Sequence, residues 1–133
     1  MEDMDNKKSI LVIDDQESMR VLMANFLKGE YKVITKSDGL KGLCWLREGN
    51  IPQLILLDMS LPNLSGLEFL TNIRSSGFFG QIPVIIISGN ESLDFQGKCF
   101  GLGISHYLTK PFNPLKLRDK IKTTLSQQQQ PLA

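Results

Sequence analysis

The chain has 133 residues, of which 41% are apolar and 22% charged, the size and balance of one ordinary globular domain and not of a disordered tail. Its formal net charge of +1 argues against a broad nucleic-acid-binding surface or a strongly acidic partner site. No stretch approaches the roughly 18 consecutive apolar residues of a membrane span, and the start Met-Glu-Asp-Met-Asp-Asn-Lys-Lys lacks a signal-peptide core, so a cytoplasmic location is expected.

After a polar lead over 1–8, Ser9-Ile10-Leu11-Val12-Ile13 forms a first apolar strand that ends in Asp14-Asp15. Met19, Leu22, Met23, Phe26 and Leu27 then fall on one helical face, and Gly29 stops that helix. Tyr31 to Thr35 reads as a second strand, and Ser37-Asp38-Gly39 as a turn able to cap a helix carrying Leu40, Leu43, Cys44 and Leu46. Its Trp45 reads as a packing or surface aromatic. Cys44 and Cys99 read as reduced, half-buried thiols, since a cytosolic chain rarely keeps a disulfide and no nearby residues complete a zinc site.

Leu54-Ile55-Leu56-Leu57 is a buried strand that ends abruptly in Asp58, followed by Ser60, Pro62 and Gly66. Alone, Asp58 could be a turn or capping residue. A third helix takes Gly66, Phe69, Leu70 and Ile73 as its inner face. Ile82-Pro83-Val84-Ile85-Ile86-Ile87-Ser88 is the next apolar run, and Glu91 to Leu102 a helix that Gly97 and Gly101 weaken by up to about 1 kcal/mol each. Ile104 to Thr109 delivers Lys110-Pro111-Phe112, and Asn113-Pro114 opens a last helix lined by Leu117, Ile121, Thr124 and Leu125. The glutamine-rich 126–133 reads as a disordered tail or the start of a linker.

Alternating strands and helices imply an α/β fold with a five-stranded parallel sheet between two helical layers, because parallel neighbours need crossovers and each crossover covers a face. Right-handed crossovers then bring Asp14, Asp15, Asp58, Ser88 and Lys110 to one carboxyl edge, where open α/β sheets bind ligands. Clustered carboxylates repel unless a cation intervenes. Oxygen donors without histidine or cysteine point to Mg²⁺. An aspartate can itself attack phosphorus when metal and cation neutralise the incoming oxygens.

Asp14-Asp15, Asp58 with Pro62 and Gly66, Ser88, and Lys110-Pro111-Phe112, in that order, resemble the receiver domain of two-component response regulators over residues 9–125. The resemblance implies a three-layer, doubly wound, flavodoxin-like sheet in the order 2-1-3-4-5. It implies that Asp58 accepts a phosphoryl group from a sensor histidine kinase or phosphotransfer protein. Asp15, Asp58 and the Ser60 backbone carbonyl would hold Mg²⁺, and Asp14 would hold it through water. Ser88 and Lys110 would contact the phosphoryl oxygens, and Tyr107 would change rotamer as Ser88 moves. The Lys110-Pro111 bond would be cis. The face made by the fourth helix, fifth strand and fifth helix would pass the signal to an unknown output partner, with at most slow self-dephosphorylation.

His106 is the lone histidine and is read as an ordinary titrating surface group, while Asn90 is a candidate for setting phosphoryl lifetime. Three other classes compete. An aspartyl-phosphate hydrolase would want a second aspartate where Ser60 stands; a flavodoxin-like electron carrier would need a phosphate-cradling loop where Asp14-Asp15 stands; a degenerate receiver would not keep the full acidic set. The chain is expected to be either a stand-alone receiver or one cut from a longer protein at its glutamine-rich end.

Overall fold

The computed structural model describes residues 7–89 and 91–129. Five strands, β1 (Ser9–Ile13), β2 (Lys32–Lys36), β3 (Leu54–Leu57), β4 (Val84–Ser88) and β5 (His106–Thr109), alternate with five helices. The helices are α1 (Glu17–Leu27), α2 (Gly39–Arg47), α3 (Gly66–Arg74), α4 (Leu93–Gly101) and α5 (Pro114–Gln129). All strand pairs are parallel and the order is β2-β1-β3-β4-β5.

The two faces of the sheet feed two cores, which is why the central strands carry no polar alternation. Leu11, Ile13, Ile55, Leu57, Val84 and Ile86 pack with Leu43, Leu46, Phe69, Leu70, Ile73 and Cys99 beneath α2, α3 and α4. Ile10, Val12, Leu54, Leu56, Ile85 and Ile87 pack with Met23, Leu27, Leu117, Ile121 and Leu125 of α1 and α5.

The helix starts follow their chemistry. Asp38 accepts from the Lys41 amide at 2.8 Å, and Ser65 and Glu68 form a reciprocal capping box on α3. Ser92 caps α4, and Asn113 accepts from the Leu115 amide at 2.9 Å to open α5.

Several expectations need correction. Leu22 and Leu40 lie outward, each 51% exposed, and Cys44 is exposed while Cys99 is buried. The reason for α2 is close approach: a Cβ on Gly42 would stand 2.6 Å from Ile13 Cδ1, so Gly39, Gly42, Leu43 and Leu46 form the contact face. The strand β4 begins at Val84, not Ile82. Helix α5 runs through Gln129, so the first polar residues beyond Leu125 extend the helix instead of opening a disordered tail. Glutamine has adequate helix propensity, and these residues prolong a helix already anchored by its apolar face. The expectations for Asn90, for most of the lead and for 130–133 lie outside the described residues.

Candidate functional site

Ladder hydrogen bonds persist one residue past the strands and set the site. The Asp14 amide donates to the Lys36 carbonyl at 3.1 Å, the Asp58 amide to Ile13 at 3.0 Å, and the Lys110 amide to Ser88 at 2.7 Å. Asp14, Asp58 and Lys110 are therefore fixed by the rigid sheet and not by a loop. Gly66 lets α3 start against this edge: a Cβ there would stand 2.5 Å from both the Asp58 carbonyl oxygen and Met59 Cα.

Asp14, Asp15 and Asp58 offer carboxylate oxygens within 4.8 Å of one another. Asp14 and Asp58 are buried, whereas Asp15 is exposed. Lys110 Nζ lies 2.9 Å from Asp14 Oδ2 and 3.3 Å from Asp58 Oδ2. Asp58 Oδ1 accepts from the Ser88 hydroxyl at 2.9 Å and from the Ser60 amide at 3.0 Å, while the Met59 amide donates to Ser88 Oγ at 3.2 Å.

Burial pushes the Asp14 carboxyl above its ordinary range; the Gln16 amide and Lys110 oppose that, and Asp58 repulsion adds to it. For Lys110, burial pulls the ammonium down, but the hydrogen bond and charge of Asp14 and the charge of Asp58 outweigh it and leave its pKa raised. Lysine is thus held charged, facing two carboxylates it cannot fully neutralise. Three hard oxygen donors close to one another suit a small divalent cation, and the cluster has no histidine or thiolate that would favour a softer metal.

Tyr107, on β5 opposite Ile86, is half-buried and packs against the core beneath α4. Its hydroxyl is shielded and makes no hydrogen bond among the described residues. Burial first, then neighbouring Glu91, push its phenol well above the ordinary range. His106 points its pKa the other way, lowered by burial and by Lys120. The Lys110-Pro111 peptide is cis.

Sequence reasoning missed the supporting residues. Arg20 donates to the Asp14 carbonyl at 2.8 Å, and Arg74 donates to the carbonyls of Leu102 at 2.7 Å, Ile82 at 2.9 Å and Gly80 at 3.2 Å. No spacing rule distinguishes such arginines from solvated ones. Asn63 Nδ2 donates to Asp38 Oδ2 at 3.0 Å, and the residue adopts φ +68°, a conformation asparagine favours.

The profile of the response regulator receiver domain matches residues 10–122. The chain belongs to this family. Among relatives of the receiver, it is 36% identical over 122 residues to an uncharacterised transcriptional regulatory protein, YkoG, of Bacillus subtilis, covering 91% of this chain and 52% of that protein. It is 31% identical over 119 residues to histidine kinase P4 of Formosa agariphila, covering 90% of this chain and 9% of that protein. The receiver therefore spans from about a tenth to about half of these relatives' lengths. A CheY-like receiver domain of Methanospirillum hungatei superposes with a TM-score of 0.85 at 29% identity, covering 92% of this chain and 97% of that one. No helix among the described residues is long and apolar enough to cross a membrane.

Proposed function

We propose that this receiver takes a phosphoryl group onto Asp58 from the phosphohistidine of a sensor kinase or phosphotransfer protein. The observation that carries the reading is the convergence of Asp14, Asp15 and Asp58 within 4.8 Å of one another, beside Lys110, at the carboxyl edge of the sheet. An Asp58 carboxylate oxygen attacks phosphorus, the phosphorus–nitrogen bond breaks, and the imidazole leaves with a proton while an acyl phosphate forms. Asp15, Asp58 and the Ser60 carbonyl would hold Mg²⁺ directly and Asp14 through water. Bound there, the metal supplies positive charge against the phosphoryl oxygens.

This chain's own residues do the rest. Lys110, already charged and 3.3 Å from Asp58 Oδ2, turns from the carboxylate to a phosphoryl oxygen. Ser88 donates to Asp58 Oδ1 in the resting site and transfers that hydrogen bond to the incoming group. The Ser88 movement and the Tyr107 rotamer then bias α4, β5 and α5 toward a second arrangement read by an output partner. A cytoplasmic setting fits a partner of this kind, and the names of its relatives include both kinases and transcriptional regulators.

Incubation with acetyl phosphate and Mg²⁺ tests this by intact mass. Wild type is expected to gain one acid-labile phosphoryl group and Asp58→Asn none; an equal adduct on both proteins overturns the assignment. Turnover of many phosphate-ester equivalents by wild type would favour a hydrolase instead.

A further inference from the structure

Glu91 lies two residues ahead of α4, in the loop that leaves Ser88. Its backbone is tied at both polar groups: its amide donates to the Gly89 carbonyl at 3.1 Å, and its carbonyl accepts from Gln96 Nε2 at 3.1 Å. Its side chain folds back along the loop, where a Cβ on Gly89 would lie 3.6 Å from Oε2. Both carboxylate oxygens are shielded from solvent and make no hydrogen bond among the described residues.

A buried carboxylate without a partner is expensive, so its position calls for a reason. The Tyr107 hydroxyl supplies one, because it too is shielded and lacks a partner. One group is an acceptor and the other a donor, and the neighbouring carboxylate helps to raise the Tyr107 phenol, as proximity to an acceptor should. The Cys99 thiol is raised as well, first by burial and then by the Glu91 charge.

We propose that Glu91 is a positioning residue for the switch: its buried carboxylate captures the Tyr107 hydroxyl and holds the ring inward while Ser88 is turned to the phosphoryl group. This rests on the receiver reading above. It gives the β4–α4 loop a direct grip on Tyr107, in addition to the packing that Ser88 controls. A charge-assisted hydrogen bond shielded from water is stronger than a neutral one, so the pair favours the arrangement that the phosphoryl group also selects.

Beryllofluoride with Mg²⁺, a phosphoryl mimic, tests the idea through binding affinity on the whole chain. Glu91→Ala and Tyr107→Phe are each expected to weaken binding about three- to tenfold, and the double variant to weaken it no further than either alone. Glu91→Gln keeps an acceptor oxygen for the phenol and is expected to restore most of the affinity. A Tyr31→Phe background leaves Tyr107 as the sole phenol, and its ultraviolet titration is expected to fall toward the ordinary range in Glu91→Ala. Wild-type affinity in Glu91→Ala, or losses that multiply in the double variant, overturns the proposal while leaving the receiver reading intact. Failure of wild type itself to bind beryllofluoride removes the reading and the proposal together.

Discussion

Asp38 ties the turn before α2 to the loop that follows Asp58. Its Oδ1 accepts from the Lys41 amide at 2.8 Å and its Oδ2 from Asn63 Nδ2 at 3.0 Å. The Lys41 hydrogen bond leads in holding this carboxyl below its ordinary 3.8; burial opposes it and Asn63 assists. A depressed carboxyl stabilises the fold only when ionised, so its contribution is present above 3.8 and is lost as pH falls through the lower folded value. Asp38→Ala is expected to cost about 1–2 kcal/mol in urea melts at pH 7, the usual loss for a helix cap, with the gap to wild type closing below about pH 4. An equal gap at pH 3 would mean that shape and not charge carries the effect. The turn Ser37-Asp38-Gly39 announced the cap, but the bond to Asn63 crosses 25 residues and left no local trace.

Among elements, α2 and α3 contrast with α4 through their glycines. A Cβ at Gly42 would crowd the Ile13 side chain, and one at Gly66 would meet the backbone of Asp58 and Met59. At Gly97 and Gly101 it would meet nothing within 4 Å. Gly42→Ala is expected to lose about 1–3 kcal/mol from overpacking, and Gly66→Ala more, because backbone cannot yield as the end of a side chain can. Gly97→Ala and Gly101→Ala are expected to gain up to about 1 kcal/mol each in chemical denaturation, since both restore helix propensity at no steric cost. Loss of stability in the α4 pair would show contacts that the resting helix does not make. From the sequence, Gly97 and Gly101 read as weak helix positions and Gly66 as part of an inner face, while nothing marked Gly42. Only the close approach of α2 and α3 to the sheet separates them, and that distance is a tertiary quantity. The same close approach rotated the inner face of α2 onto Gly39 and Gly42 and left Leu40 and Cys44 outside.

At the scale of the molecule, what was legible is what periodicity and strand polarity dictate. Uninterrupted apolar runs required a doubly covered parallel sheet, and a parallel sheet required Asp14, Asp58, Ser88 and Lys110 to share an edge. The order β2-β1-β3-β4-β5 came from family resemblance, because no local pattern encodes which strands are neighbours. That shared edge also concentrates negative charge: three carboxylates lie within 4.8 Å of one another, and Lys110 pairs with two of them. Burial keeps the Asp14 carboxyl raised, so its ionised form opposes folding as pH rises toward neutrality. A divalent cation that binds only the folded edge must then stabilise the whole chain by linkage, by about 1.4 kcal/mol at tenfold excess over its dissociation constant. For a domain of this size that corresponds to a rise of roughly 4–8 °C in melting temperature with Mg²⁺. Asp15→Asn removes the exposed ligand without disturbing the buried pairs of Lys110, so it is expected to melt at or above wild type without metal and to lose most of the Mg²⁺-dependent rise. Equal shifts in the two proteins, measured by calorimetry across a Mg²⁺ series, would place the cation elsewhere on the surface.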